Sequence, residues 1–252
     1  MPAIKNKMEL FFIDKSQIDG HKITISGGDV NHIKNVLRKR VGDEIACADG
    51  SSSEYRCRIE SFEDEKIICS LEFIKEADTE LPVRVHLFQG IPKGDKFELI
   101  IQKCVELGVY EIIPVECERC VVKLDAKKAE KKITRYNAIS EAAAKQSKRR
   151  IIPEVTMPVS FKEALKMAND MDIKLIPYEL SDMGMDNTRD IFSNIKDDID
   201  IAVFIGPEGG FCDSEISLAG ENSFLPITLG RRILRTETAG MTVMGWIMYQ
   251  KD

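Results

Sequence analysis

Two glycine-rich loops near the C-terminus constrain the fold of this chain more than any other feature. Residues 205–211 read IGPEGGF, and residues 229–240 read LGRRILRTETAG. Each loop follows an apolar run that predicts a buried strand (residues 200–205 and 224–229), and each precedes a segment that predicts a helix. Loops at the C-terminal ends of strands in an open α/β sheet bind ligands, and glycine lets the backbone approach a ligand closely. We therefore expect a single pocket walled by backbone.

Common phosphate-binding and hydrolase motifs are missing from the sequence. Neither G-x-x-x-x-G-K-[ST] nor G-x-G-x-x-G occurs, so we expect a ligand that is not held by its phosphates. The three histidines, His21, His32 and His86, form no H-E-x-x-H motif, and no nucleophile elbow is present. Hydrolase chemistry therefore has little support.

Cys117 and Cys120 form an isolated C-x-x-C motif. A structural zinc site needs four ligands, and neither a second cysteine pair nor a suitably spaced histidine is available, so we expect no metal. A redox role is an alternative, but buried thiols at the end of a strand are the preferred interpretation. Seven cysteines, an odd number, favour reduced thiols in a cytoplasmic protein.

The length of 252 residues fits one large domain or two smaller ones. No apolar run approaches the roughly 20 residues that span a membrane, and the N-terminus does not resemble a signal peptide. Residues 1–74 predict a small barrel, with strands at 22–26, 44–48, 55–59 and 66–73 and a helix at 29–38. After a polar linker at residues 74–82, strands alternate with helices, which predicts a mostly parallel sheet over residues 75–252.

Further elements are predicted in this second domain. Strands are expected at residues 83–88, 110–115 and 173–177, and helices at 96–107, 126–148, 161–171 and 238–250.

The charge distribution is uneven along the chain. The formal net charge is −6, yet residues 119–150 hold 11 Lys/Arg against 3 Asp/Glu, whereas residues 170–200 hold 3 against 9. A basic block in an acidic chain predicts a polyanion-binding face, although a solvated helix surface is the alternative. Its final residues 145–150 fit phosphate contacts.

Two smaller basic clusters lie outside that block. Arg38 and Arg40 form a second cluster, which a solvated surface explains nearly as well. Lys93 opens a helix at a strand end, where a phosphate could be positioned, although a turn and cap is the simpler account.

Arg235 and Glu237 are separated by one residue in the second loop. In an extended segment both side chains would project to the same side, placing a guanidinium and a carboxylate beside the expected pocket. An ordinary ion pair is the alternative interpretation.

With these residues assembled, the chain resembles the RsmE family, the bacterial small-subunit ribosomal RNA uridine N3-methyltransferases of the trefoil-knotted SPOUT class. The resemblance covers nearly the whole chain. It is carried by residues 32–38 with 42–43, 93–96, 106–109 with 113–114, 119–123, 141–147 with Arg150 and Pro153, 206–211, and 229–239. The last two motifs together are highly specific. Cys120 stands where a serine is expected, but the flanking Arg119 and Lys123 match.

The resemblance implies an α/β protein with a smaller N-terminal PUA-like β-barrel that binds RNA and a C-terminal knotted domain with a parallel sheet. It implies S-adenosyl-L-methionine as the methyl donor, 16S rRNA or the small ribosomal subunit as the substrate, and a homodimer. Knots are very rare, so patterns alone would not suggest one. The implied cofactor-binding residues are Gly206, Pro207, Glu208, Gly210, Leu229, Gly230, Ile233, Leu234, Thr238 and Ala239. The implied RNA-binding residues are Arg38, Arg40, Lys93, Arg119, Lys145, Gln146, Arg149 and Arg150.

The chemistry implied by this resemblance assigns a task to the charged pair. Uracil N3 becomes nucleophilic only as its proton leaves, so catalysis needs positioning and stabilisation of the developing anion. We expect Arg235 to stabilise that anion and Glu237 to orient Arg235 or accept the proton. The alternatives are methylation of another base or of a ribose 2′-hydroxyl, and a non-catalytic RNA-binding ribosome-assembly factor.

Overall fold

The computed structural model describes residues 8–51, 53–76, 79–122, 126–178 and 184–252. Lys123 of the basic motif and residues 179–183 of the acidic segment lie outside the described residues. The chain divides into two compact units, Met1–Glu80 with Lys145–Ile152, and Leu81–Ala144 with Pro153–Asp252. The predicted boundary after residue 74 falls inside the first of these units.

The first unit is built on a six-stranded sheet in the order β1-β4-β5-β6-β3-β2. Its strands are β1 (Leu10–Phe12), β2 (Ile18–Asp19), β3 (Lys22–Ser26), β4 (Glu44–Ala48), β5 (Ser53–Phe62) and β6 (Lys66–Glu76). All neighbours pair antiparallel except β1 and β4. The pairing of β5 with β6 shifts register twice, and such bulges bend a strand and increase its twist. The resulting sheet is barrel-like, as predicted.

One face of this sheet carries the core of the first unit. Alternate residues such as Ile23 and Ile25 are fully buried, because side chains along a strand point to opposite faces. The predicted helix at 29–38 is a short α-helix, α1 (Gly28–Asn31), followed by a π-helix, His32–Val36. Its Val30 and Ile33 join the same core.

Residues 145–152 belong to this first unit and bring two arginines into it. Arg149 forms an ion pair with Glu80, and Arg150 forms one with Glu54; both guanidinium groups are buried. Removing one partner of a buried ion pair typically costs about 3–5 kcal/mol, because the other charge is left uncompensated. These pairs therefore fix residues 145–152 to the first unit.

The second unit contains a seven-stranded parallel sheet. Its main order is β10-β8-β7-β12-β11-β13, and β9 also pairs with β8. The strands are β7 (Arg84–Gly90), β8 (Glu111–Glu116), β9 (Glu154–Val155), β10 (Val159–Ser160), β11 (Ile173–Pro177), β12 (Asp200–Ile205) and β13 (Leu225–Ile227). Central β12 is buried from Ile201 to Ile205, as expected when both faces of a parallel sheet are covered. The predicted α/β class with a parallel sheet is confirmed.

Six helices accompany this sheet in the described residues: α2 (Lys96–Glu106), α3 (Ala126–Ser147), α4 (Phe161–Met167), α5 (Met185–Ser193), α6 (Asp213–Glu221) and α7 (Thr236–Lys251). The amphipathic α2 buries Phe97, Ile100, Ile101, Cys104 and Val105, the spacing of one helical face. Among the helices of the described residues, none is long and apolar enough to span a bilayer.

Several predicted boundaries differ from the observed ones. The strand expected at 224–229 is shortened to Leu225–Ile227, and the helix expected from 161 to 171 ends at Met167. The last helix begins at Thr236 rather than at residue 238. Threading of the chain through a trefoil knot stays a prediction.

Candidate functional site

A cavity of about 1010 Å³ opens at the carboxyl end of the parallel sheet of the second unit. Three of its walls follow directly from strand ends: Gly206 comes after β12, Tyr178 after β11, and Thr228 after β13. Because the strands are parallel, their carboxyl ends meet at one edge of the sheet. This volume lies at the upper end of the roughly 300–1,000 Å³ typical of ligand sites.

The first glycine loop is packed against itself and against the end of β7. A Cβ on Gly206 would lie 3.2 Å from the backbone of Gly210, and a Cβ on Gly90 would lie 2.6 Å from Pro207. Gly210 itself has a φ of +66°, a conformation that favours glycine. Phe211, which follows, is buried and packs on Phe161. Glycine is therefore strongly favoured at Gly90, by its close contact with Pro207, and at Gly210, by its positive φ.

The second glycine loop leads from β13 into α7. Gly230 has a φ of +101°, and its N–H donates to the Thr228 hydroxyl at 3.3 Å. The following arginines, Arg231 and Arg232, are exposed and line the cavity. Ile233 is 80% exposed. This loop therefore supplies backbone to the cavity wall and positive charge to its edge.

Glu208 connects the first loop to the segment before α2. Its carboxylate accepts hydrogen bonds from the Lys93 backbone N–H at 3.1 Å and from Lys96 Nζ at 2.7 Å. Partial burial raises the pKa of Glu208, but the hydrogen bond from Lys96 and those from backbone N–H groups outweigh it, so the pKa lies below its ordinary value. Glu208 is therefore a carboxylate at neutral pH.

Arg119 forms a third side of the site. Its guanidinium donates to the Gly209 carbonyl at 3.0 Å, and a Cβ on Gly209 would lie 3.1 Å from the Arg119 Cβ. Arg119 follows β8 in the turn that contains Cys117 and Cys120. The glycine loop is thus supported from two neighbouring segments.

The structure brings together nearly all of the residues that the resemblance assigns to the cofactor. Of that set, Thr238 is not on the cavity wall. The lining residues that are not among the predicted site residues are Lys96, Pro177, Tyr178, Ile205, Gly209, Phe211, Asp213, Thr228, Arg231, Arg232 and Thr236. Tyr178 could have been found, because it directly follows the correctly predicted strand at 173–177.

Arg235 and Glu237 do not have the geometry that was expected. The premise of an extended segment is wrong, because α7 begins at Thr236, which makes Arg235 its N-cap and puts Glu237 in its first turn. The two residues therefore do not lie in one extended segment, and the expectation that their side chains share one side fails. Arg235 lines the cavity, whereas Glu237 does not, and these two described residues form no ion pair.

One oxygen of Glu237 has no visible role. Its Oε2 is buried without a hydrogen-bond donor among the described residues. Leaving a buried polar atom unpaired costs about 1–3 kcal/mol of folding free energy, which makes this carboxylate a candidate functional group.

The predicted RNA-binding residues fall into three groups. Arg38 and Arg40 are exposed in the first unit, and Lys93 and Arg119 are exposed in the second. Gln146 is exposed, whereas Lys145 is half-buried and paired with Asp29. Arg149 and Arg150 are buried in ion pairs, which leaves little of either guanidinium for phosphate.

The C-x-x-C pair lies in the core of the second unit. Cys117 and Cys120 are buried, and the Cys117 N–H donates to Cys120 Sγ at 3.3 Å. The hydrogen bond from the Cys117 thiol lowers the pKa of Cys120 to about 7. All seven cysteines are buried free thiols, and the described residues contain no cluster of three or more His, Cys, Asp or Glu side chains suited to a metal.

Comparison with known proteins adds family membership to this geometry. Residues 79–248 match the model of an RNA methyltransferase domain, and residues 25–72 match an RNA methyltransferase PUA domain. Ribosomal RNA small subunit methyltransferase E of Bacillus subtilis is 37% identical over 97% of this chain and 98% of its own length. This chain belongs to that methyltransferase family.

Two solved structures of relatives agree with this assignment. A ribosomal RNA small subunit methyltransferase E from Neisseria gonorrhoeae, bound to S-adenosyl methionine, is 31% identical with a TM-score of 0.81. It covers 96% of this chain and 97% of its own. A methyltransferase from Legionella pneumophila in complex with the bound cofactor SAM is 32% identical with a TM-score of 0.82, covering 96% and 98%.

Proposed function

We propose that this protein transfers a methyl group from S-adenosyl-L-methionine to N3 of a uracil in 16S rRNA. The observation that carries the proposal is the cavity between the two glycine loops, with Arg235 at its edge. It occurs in a chain of the RNA methyltransferase family. Backbone walls and the absence of a phosphate-binding motif suit a nucleoside donor without phosphates.

The residues of the cavity fit this donor. A Cβ on Gly206 would lie 3.2 Å from the backbone of Gly210, so glycine at this position lets the loop fold closely on itself at the cavity wall. Leu229, Leu234 and Ala239 supply apolar wall next to the polar backbone, the combination that ligand pockets commonly use. Glu208 adds a carboxylate that suits a positively charged ligand.

The proposed chemistry depends on how this chain treats the uracil. When bound, S-adenosyl-L-methionine supplies an electrophilic methyl group on a positively charged sulfur. The N3–H proton must leave as the new N–C bond forms, and negative charge then develops on the two neighbouring carbonyl oxygens. A group that stabilises this charge accelerates the reaction most when it is already in place.

Arg235 is our candidate for that group. It lines the cavity, it is exposed, and its backbone is fixed as the N-cap of α7. A guanidinium stays charged and presents donors in a rigid fork, which suits a carbonyl oxygen of an anionic base. Within the described contacts no carboxylate neutralises Arg235, so its charge is available to the substrate.

Glu237 is our candidate for the proton acceptor. The lack of an ion pair with Arg235 among the described residues argues against the orienting role. Glu237 Oε2 is buried without a donor in the described part of the chain and lies off the cavity wall, so in this proposal it takes the proton through an intervening water.

The remaining partners belong to the same proposal. We propose that Arg38, Arg40, Lys93, Arg119 and Gln146 contact the RNA, since each is exposed. We also propose a knotted, cytoplasmic homodimer. The homodimer is supported by α7, which leaves Tyr249 85% exposed and Trp246 partly exposed.

The proposal is tested with small ribosomal subunits that lack the modification. Purified protein, labelled S-adenosyl-L-methionine and either these subunits or naked 16S rRNA are incubated, and the RNA is digested and analysed by mass spectrometry. We expect one labelled nucleoside, N3-methyluridine. A methyl group on a ribose or on another base would support a different RNA methyltransferase. Binding of the donor without any transfer would support a non-catalytic assembly factor.

A further inference from the structure

The side chain of Thr236 bridges the two loops that form the cavity. Its hydroxyl donates a hydrogen bond to the carbonyl oxygen of Gly206 at 2.6 Å and accepts one from Gln89 Nε2 at 2.9 Å. Gly206 is the first residue after β12, and Thr236 is the first residue of α7. One hydroxyl therefore connects the loop at residues 206–211 to the helix that begins beside Arg235.

Gln89 holds this hydroxyl from within the sheet. Its side chain is completely buried, and its residue pairs with Ile205 in the register of β7 and β12. The second hydrogen of Nε2 donates to the Gly90 carbonyl at 3.0 Å. A reversed amide would place an oxygen against that carbonyl, so the network determines the orientation of the amide.

The donor and acceptor roles along this chain are also determined. A threonine hydroxyl has a single proton, and the Gly206 carbonyl can only accept, so the Thr236 hydroxyl must donate there and accept from Gln89. Thr236 is 5% exposed, and hydrogen bonds shielded from water hold their geometry well.

We propose that Thr236 and Gln89 are positioning residues for methyl transfer. The loop at residues 206–211 would hold the donor, and Arg235, adjacent to Thr236, would hold the uracil; this part of the inference rests on the proposed function. The two hydrogen bonds of Thr236 then set the distance between the methyl donor and the uracil that accepts the methyl group. An alignment error of about 1 Å can lower a rate roughly 100-fold, so the hydroxyl controls kcat more than donor affinity.

The test compares Thr236→Val with Thr236→Ser. Valine keeps the branched shape but leaves the Gly206 carbonyl without its donor, and we expect kcat to fall about 10- to 100-fold with a much smaller change in the donor Kd measured by calorimetry. Serine restores the hydroxyl and should recover most of the lost kcat. In protein without ligand, valine should also speed hydrogen exchange of the backbone amides at residues 208–211.

A matched control comes from the same helix. The Thr242 hydroxyl donates to the Thr238 carbonyl, one turn earlier, so Thr242→Val removes a comparable hydrogen bond that does not reach the cavity. Its kcat and its amide exchange at residues 208–211 should equal those of the wild type.

Gln89→Met provides a second route in case Thr236→Val does not fold. Methionine removes the donor to Thr236 and to the Gly90 carbonyl, but it also removes Oε1, which is buried without a partner. These two effects on stability oppose each other, so the thermal midpoint should change little while kcat falls. The inference would be overturned if the wild type transfers methyl groups and both Thr236→Val and Gln89→Met keep the wild-type kcat and hydrogen exchange. Wild-type protein that transfers none contradicts the proposed function instead.

Discussion

Arg235 is both the N-cap residue of α7 and part of the cavity wall. Its backbone is extended, with φ −67° and ψ 153°, while the next residue is already helical. Arginine is not a preferred N-cap, and its side chain makes no cap hydrogen bond. The Arg235 side chain lines the cavity and does not cap the helix, which agrees with a role in binding the substrate.

Replacing Arg235 by alanine should lower kcat for RNA methylation about 100- to 1,000-fold, the usual cost of losing one preorganised donor to an oxyanion. Donor affinity in calorimetry should change little. Lysine should recover only part of the rate, because an ammonium lacks the planar fork. Arg189→Ala is the control, since the Arg189 side chain is 70% exposed and its only ion pair among the described residues is with Asp186. Equal losses of donor affinity and rate in Arg235→Ala would contradict this assignment.

At the scale of elements, Glu208 ties the first glycine loop to the segment before α2. Glu208→Gln should raise the Kd for S-adenosyl-L-methionine about tenfold, because it weakens a charge-assisted hydrogen bond worth roughly 1.5–3 kcal/mol and removes negative charge from the cavity. Asp213→Asn is the matched control: this carboxylate also lines the cavity but begins α6. Calorimetry of the two variants separates the role of Glu208 from a general effect of charge. An unchanged Kd for Glu208→Gln would show that the Glu208 carboxylate does not contribute to donor binding.

Two strands of the parallel sheet were the easiest elements to predict from the sequence. Those at 173–177 and 200–205 were correct to the residue. The second is apolar from Ile201 to Ile205, and the first is apolar except for Lys174. The start of α7 was placed two residues late, since Arg235 gives no capping signal. The helix α5 was not predicted because its segment is dominated by acidic and polar side chains.

The site was predicted less completely than its strands. Both glycine loops were identified because glycine marks them in the sequence. The hydrogen bonds of Thr236 and Gln89 could not be, since 147 residues separate them in the chain and only the sheet register brings them together. The burial of Arg149 and Arg150 could not be predicted either. A run of basic residues has the same sequence pattern whether its side chains are exposed to solvent or paired with Glu54 and Glu80.

At the scale of the second unit, an ionic network joins the amino ends of three strands, opposite the cavity. His86 is hydrogen-bonded to Glu111 at 3.0 Å and to Asp200 at 2.9 Å, and Arg84 forms a two-pronged pair with Asp200. The hydrogen bonds from Arg84 lower the pKa of Asp200 to about 2, against the opposing effect of burial. Burial lowers the pKa of His86, but its two carboxylate partners outweigh this and raise it above the ordinary value.

These shifts predict a pH window of stability. The contribution of Asp200 is present above about pH 4 and is lost as the pH falls towards 2, whereas that of His86 is complete below about pH 6.5 and is lost as the pH rises through its higher folded pKa. The free energy of unfolding from urea titrations should therefore fall in the wild type as the pH rises above about 6.5, and less so in His86→Gln. Identical slopes in both proteins would show that His86 does not contribute.

The return of residues 145–152 to the first unit has a consequence for biosynthesis. As the nascent chain leaves the ribosome, Glu54 and Glu80 emerge long before Arg149 and Arg150, their partners. Until more than half of the polypeptide has been translated, Glu80 lacks Arg149, and Glu54 has Arg56 but not Arg150 as an ionic partner. Completion of the first unit is therefore a late event, even though its strands are the first to be made.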